Sequence, residues 1–120
     1  MGDLNADPHD GDTSEAIRTL LDAAAVGETA PPLSEGGVEQ AALQGGANEG
    51  HQGPPGADTA DFADGQVGNL RVDYAVPSAS LEQLGSGVFW PTADDPDFSL
   101  VGTYPFPVSD HRLVWVRVRQ

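Results

Sequence analysis

The chain has 120 residues, of which 38% are apolar, 15 are glycine and 10 are proline. That bounds it to one small domain with a loop-rich middle. It has no cysteine, which excludes disulfides and thiolate metal sites. Nineteen carboxylates against five arginines and no lysine give a net charge of −14, a surface that repels nucleic acid unless metal ions or a local arginine cluster offset the field.

Residues 1–12 are rich in Gly, Asp, Asn, Pro and His and read as a loop. Asp12 and Glu15 stand at capping-box spacing, and Ala16, Ile17, Leu20, Leu21 and Ala24 follow at helical spacing. One amphipathic helix is therefore predicted over 13–25, stopped at Gly27. Residues 27–69 carry no periodic pattern and contain Pro31-Pro32, Gly36-Gly37, Gly45-Gly46 and Pro54-Pro55. They are expected to form an irregular insertion, functional or disordered, with at most a short helical turn over 38–43.

The last third has strand patterning. In Leu70–Val76 the residues Leu70, Val72, Tyr74 and Val76 alternate with Arg71 and Asp73, which predicts a strand ended by Pro77. Leu81 to Leu84 reads as a connector, Ser86 to Trp90 as a second strand closed by Pro91, and 91–110 as a loop rich in Asp and Pro. Leu113 to Arg119 reads as a third strand, aliphatic on its Val114, Val116 and Val118 face. No stretch approaches the roughly 20 apolar residues of a membrane span, and the start lacks the basic-then-apolar pattern of a signal peptide. The acidic, lysine-free composition fits high-salt surroundings or a GC-rich genome without any selection on activity.

The residue types that carry phosphoester chemistry sit at strand ends and tight turns: Asp3, Asn5, Asp73, Asp110 and His111. Carboxylate oxygens hold hard cations such as Mg²⁺, Mn²⁺ or Ca²⁺, and the cation polarises the phosphoryl oxygens. A carboxylate can also orient or deprotonate a water. An imidazole held by a carboxylate can donate to a phosphoryl oxygen. Asp, Asn and Ser are equally ordinary turn residues, so spacing alone leaves both readings open. Asp7, Asp10 and Asp12 alternate like part of a calcium loop, but no Glu follows at EF-hand spacing, and that reading is rejected.

Gly2-Asp3-Leu4-Asn5-Ala6-Asp7-Pro8 resembles the Gly-Asp-x-Asn-x-x-Pro motif of the endonuclease/exonuclease/phosphatase superfamily, which has the deoxyribonuclease-I-like fold. Arg71-Val72-Asp73-Tyr74 resembles its Arg-x-Asp-Tyr strand motif, and Ser109-Asp110-His111 its terminal Ser-Asp-His motif, followed by an apolar strand. The segment from Gly45 through Asp58-Thr59-Ala60-Asp61-Phe62, and Gly87-Val88-Phe89-Trp90-Pro91, are similar to a bacterial branch whose members are often secreted. The resemblance implies an α+β fold, the C-terminal half of a four-layer sandwich of two packed sheets with helices outside. It also implies a divalent cation (Mg²⁺, Mn²⁺ or Ca²⁺) and a phosphoester substrate: nucleic acid, nucleotide or small molecule. Asp3 would activate or position the water and share the cation with Asp110. Asn5 would hold the nucleophile or a phosphoryl oxygen. His111 would contact the scissile phosphate, with Asp73 as its carboxylate partner. Asn48 and His51 in the Gly-rich loop are candidate substrate contacts, against the plainer reading of a polar loop. His9 is expected at the surface, and Tyr104, Phe106 and both tryptophans are expected to pack.

The superfamily's front half, with an early Asn, a metal-binding Glu and a further His, has no counterpart here. Three expectations follow: a mis-assigned start, a truncated gene, or a piece that needs a partner half. The 120-residue chain alone is expected to be poorly stable and to have little or no hydrolase activity; robust turnover abolished by Asp110→Ala would overturn that. The competing expectations are a non-catalytic interaction module of the same fold and a disordered acidic protein, the latter disfavoured by three apolar strands.

Overall fold

In the computed structural model, which describes residues 2–28 and 30–120, the chain opens on a two-residue strand β1 (Gly2–Asp3). Helix α1 (Ser14–Leu21) follows, shorter than the 13–25 expected. Its N-cap is Thr13 without a side-chain cap bond, so Asp12 and Glu15 do not form the expected capping box. The helix ends early because the chain beyond it pairs elsewhere. Val26 bridges Ser78, the Gly27 amide donates to the Pro77 carbonyl (2.9 Å), and Ala79 donates back to Ala25 (2.9 Å). Of its apolar stripe only Ile17 is buried, with Leu21 beside it; Leu20 faces solvent.

The stretch expected to be irregular is largely ordered. It holds helix α2 (Glu35–Gln44), 3₁₀ turns at Gly46–Gly50 and Pro55–Ala57, and strand β2 (Ala60–Asp61); Thr29 lies outside the described residues. Ser34 caps α2, its Oγ accepting from the Gly37 amide (3.1 Å). Gly36 and Gly37 look like breakers in sequence but are packing residues. A Cβ on Gly36 would sit 2.2 Å from the Trp90 carbonyl oxygen, and one on Gly37 would sit 2.7 Å from that of Pro55. Close approach of backbone to backbone, which only glycine permits, docks the helix.

The predicted strand over 70–76 is two strands in two different ladders. β3 (Asn69–Leu70) pairs antiparallel with β2, and β4 (Asp73–Tyr74) pairs antiparallel with β1. At the break, side chains replace a neighbouring strand. Asp7 Oδ2 accepts the Arg71 amide (2.7 Å), and Thr59 Oγ1 accepts those of Val72 (3.0 Å) and Asp73 (2.9 Å). The alternation fails at Arg71, which is buried rather than solvated. It pairs with Glu28 and lies 4.5 Å over the Tyr74 ring.

The remaining pair is a long antiparallel ladder, β5 (Glu82–Phe89) with β6 (Leu113–Arg119). β5 starts four residues earlier than expected, absorbing the supposed connector, while β6 has the predicted bounds. Within 91–110 the chain forms one short helix, α3 (Phe98–Val101). Gly87 leaves room for the Trp115 ring across the ladder. Ala75, Val88, Trp90, Val101 and Val114 form the main core, and Ala6, Ile17 and Tyr74 a smaller one beneath α1. The described residues are thus a mixed α+β arrangement with three two-stranded pairings. No described helix is long and apolar enough to cross a membrane.

Candidate active site

The β1–β4 ladder places Asp3 opposite Asp73. Residues in register across an antiparallel pair carry their Cβ atoms about 5 Å apart on the same face, so the two side chains leave the ladder on one face. Asp73 Oδ2 lies 2.8 Å from His111 Nδ1. In the tautomer that donates from Nδ1 to this carboxylate, Nε2 is the nitrogen left for a substrate oxygen. The Phe62 ring meets the imidazole edge-on at 5.8 Å. The imidazole is 31% exposed and the Asp73 carboxylate 18%, so the pair is held by the framework yet reachable.

The first motif is a tight turn. Asp3 Oδ1 accepts the Asn5 amide at 2.7 Å, and Asn5 adopts φ 49°, a left-handed conformation that asparagine tolerates better than most residues. Asp3 and Asn5 are both exposed. Further along, the buried Asp7 carboxylate accepts amides of His9 (2.7 Å), Asp10 (2.9 Å) and, as noted, Arg71. It ties the motif loop to the strand that carries Asp73. Asp10 accepts the amides of Gln52 and Gly53 (both 2.9 Å), tying the same loop to the Gly-rich segment. Asp3, Asp7 and Asp10 are thus anchors for backbone amides. His9 is exposed, as expected.

The terminal motif is stitched to β2. The Asp61 amide donates to the Asp110 carbonyl (2.9 Å), Arg112 to that of Thr59 (2.7 Å), and Ala60 bridges His111. Ser109 Oγ accepts the His111 amide (3.0 Å). Beneath the turn the buried Arg112 guanidinium donates to the Ser109 carbonyl (2.9 Å) and to Asp61 (3.2 Å), and it lies 4.5 Å over the Trp90 ring. Burial pushes the Asp61 carboxyl up and the Arg112 guanidinium down; their attraction, with the Gln44 amide on Asp61 (2.9 Å), opposes both. The network continues through Gln44 Oε1 to Asn69 Nδ2 (2.8 Å).

Asn48 joins this framework. Its Oδ1 accepts the Asn69 amide (2.6 Å) and packs on Gly68, while its Nδ2 is buried with no partner among the described residues. His51, Asn48 and Asp58 line a separate cavity of about 400 Å³. Asp110 lines a cleft of about 580 Å³ with Phe62, Tyr104 and Phe106. Tyr104, expected to pack, is 86% exposed. The structure therefore joins Asp73 and His111 directly, sets Asp3 in register with Asp73 across the β1–β4 ladder and Asp110 beside His111 in sequence, and places Asn48 and His51 around another cavity. Thr59, Asp61, Arg112 and Asp7 support the site but were not singled out from the sequence. Their signal was weak: Thr59 and Asp61 lie in the resemblance segment 58–62, Asp7 in the first motif, and Arg112 directly after His111.

Among the described residues, no three His, Asp or Glu side chains come together as a set that could hold a metal ion. No curated protein and no solved structure matches the chain. The sequence model of the Endonuclease/Exonuclease/phosphatase family matches residues 1–111, from the Gly-Asp-Leu-Asn turn through to His111, and the chain belongs to that family.

Proposed function

We propose that this chain carries the imidazole–carboxylate part of a phosphoester hydrolase, in a family of phosphoesterase- and nuclease-type hydrolases. The observation that supports it is the side-chain pairing of Asp73 and His111 across 38 positions of sequence, with Asp3 in register with Asp73. In this reading Asp73 fixes the His111 ring, and His111 Nε2 donates to a phosphoryl oxygen as negative charge develops there. Asp3 positions the attacking water, and Asn5 holds that water or a second phosphoryl oxygen. Asn48 and His51 would contact more distant parts of a substrate. The back half of a four-layer sandwich, completed by a partner half, belongs to the same proposal.

The family generally works with a divalent cation. Asp3 and Asp110 are the carboxylates that would receive Mg²⁺, Mn²⁺ or Ca²⁺. They lie on separate turns, and the described residues supply no three-ligand set around them. The residues present do not make a cation site, and no step above depends on one.

Two measurements test the reading. Titration with inorganic phosphate should shift the His111 ring protons in NMR, and His51 and His9 less. Any hydrolysis of a chromogenic phosphodiester with Mg²⁺, Mn²⁺ or Ca²⁺ should be slow, and should fall to the buffer rate in His111→Ala. Turnover unchanged in the variant, or no phosphate-induced shift at His111, would overturn the catalytic reading in favour of a non-catalytic module.

A further inference from the structure

We infer that Thr59 is the positioning residue that holds Asp73 and His111 in register, an inference that rests on the hydrolase reading for its catalytic consequence. Thr59 is 1% exposed and lies just before β2, between the two segments that carry the pair. Its side chain serves one of them: Oγ1 accepts the amides of Val72 (3.0 Å) and Asp73 itself (2.9 Å). Its backbone serves both: the amide donates to the Leu70 carbonyl (2.9 Å), and the carbonyl accepts from Arg112 (2.7 Å), the residue after His111. The next residue, Ala60, bridges His111.

This arrangement follows from the break in the 70–76 strand. Where the chain passes from the β3 ladder to the β4 ladder, the amides of Val72 and Asp73 donate to a side chain, Thr59 Oγ1, and not to a strand carbonyl. A buried amide without an acceptor is costly, so something must replace the strand carbonyl. A hydroxyl has two acceptor lone pairs, and here each takes one amide. The Asp73 backbone is thereby located relative to Thr59, and the His111 backbone relative to the same residue through the ladder. The side-chain bond between Asp73 and His111 at 2.8 Å spans two segments that share this one joint. Valine fills the same space but cannot accept, whereas serine keeps the acceptor.

The test uses the full chain as Thr59→Val and Thr59→Ser, with Ile17→Val as a control. Ile17 is buried beneath Tyr74, so that variant thins the core without touching the joint. On a chromogenic phosphodiester, Thr59→Val should lower kcat on the order of 100-fold with KM nearly unchanged, since misplacement of reacting groups by about 1 Å costs that much. Thr59→Ser and Ile17→Val should retain most of kcat. Independently of turnover, the downfield His111 Nδ1 proton that a carboxylate-bound imidazole shows should be present in wild type and Thr59→Ser and absent in Thr59→Val. Equal kcat in wild type and Thr59→Val, or a Nδ1 proton that persists in Thr59→Val, would overturn the assignment. If Thr59→Val does not fold, wild-type hydrogen exchange decides: protected Val72 and Asp73 amides support the joint, and amides exchanging at loop rates overturn it. If wild type hydrolyses nothing, the phosphate-induced shift at His111 decides the hydrolase reading, and the proton signal separately decides the role of Thr59.

Discussion

At the scale of single residues, the least expected group is Asp58, next to Thr59 in sequence. It is buried, and desolvation first, then the charges of Asp7 and Asp10, push its carboxyl up to about 8. Asp7 and Asp10 are held beside it by the backbone amides their carboxylates accept. The linkage has a definite sign. An unfolded aspartate releases its proton near 3.8, whereas the folded one keeps it to about 8. Between those values the folded state binds more protons than the unfolded state, so this group lowers stability as pH rises through the window and adds nothing further above it. Asp58→Asn removes that contribution. Thermal melts of the two chains should show the variant gaining on wild type from about pH 4 to about pH 8 and holding a constant gap beyond. A gap independent of pH would show that Asp58 ionises normally.

At the scale of elements, α2 shows how propensity and packing compete. Gly36→Ala should favour the isolated helix by about 1 kcal/mol. In the fold, the new Cβ would meet the Trp90 and Pro91 carbonyl oxygens at 2.2 and 2.5 Å, against backbone that has no free rotor to yield. Overpacking against a fixed wall costs roughly 1–3 kcal/mol or more, so the clash should win. Chemical denaturation should give a lower midpoint for Gly36→Ala, and a raised midpoint would place the helix away from Trp90. The same glycines explain what the sequence concealed. Gly36-Gly37 reads as a breaker unless one knows that a strand end lies against it, and that is tertiary information. Leu113 to Arg119 was legible because its alternation and its ladder agree. Leu70 to Val76 has the same alternation, but Asp7 and Thr59 reach in to take its amides, and nothing local to 70–76 announces residues 7 and 59. The pairing of Asp73 with His111 was legible through the motifs, whereas its supports are Asp, Thr and Arg of kinds that loops also use. Asn48 illustrates the opposite case, a loop residue whose oxygen serves the framework.

At the scale of the whole molecule, a net charge of −14 on 120 residues sets carboxylate repulsion against a few attractive pairs. Arg71 and Arg112 hold Glu28 and Asp61 in pairs whose side chains are nearly inaccessible, with relative exposures of 6% and 9% for the first and 0% and 4% for the second. Arg119 with Glu82 is an exposed pair and contributes little. Added salt does not act on these alike. The screening length falls from about 10 Å at 0.1 M to about 3 Å at 1 M, which removes repulsion among exposed carboxylates but barely reaches buried pairs. What salt weakens is therefore mostly unfavourable, and what it spares is mostly favourable. The melting temperature should rise steadily from about 0.05 M to about 1 M NaCl, by several degrees for each kcal/mol of relieved repulsion. Glu82→Gln, which breaks only the exposed pair, should leave the slope nearly unchanged. A melting temperature that falls with salt would mean that attraction among surface charges outweighs their repulsion, and that the acidic composition is balanced locally in a way the net charge conceals.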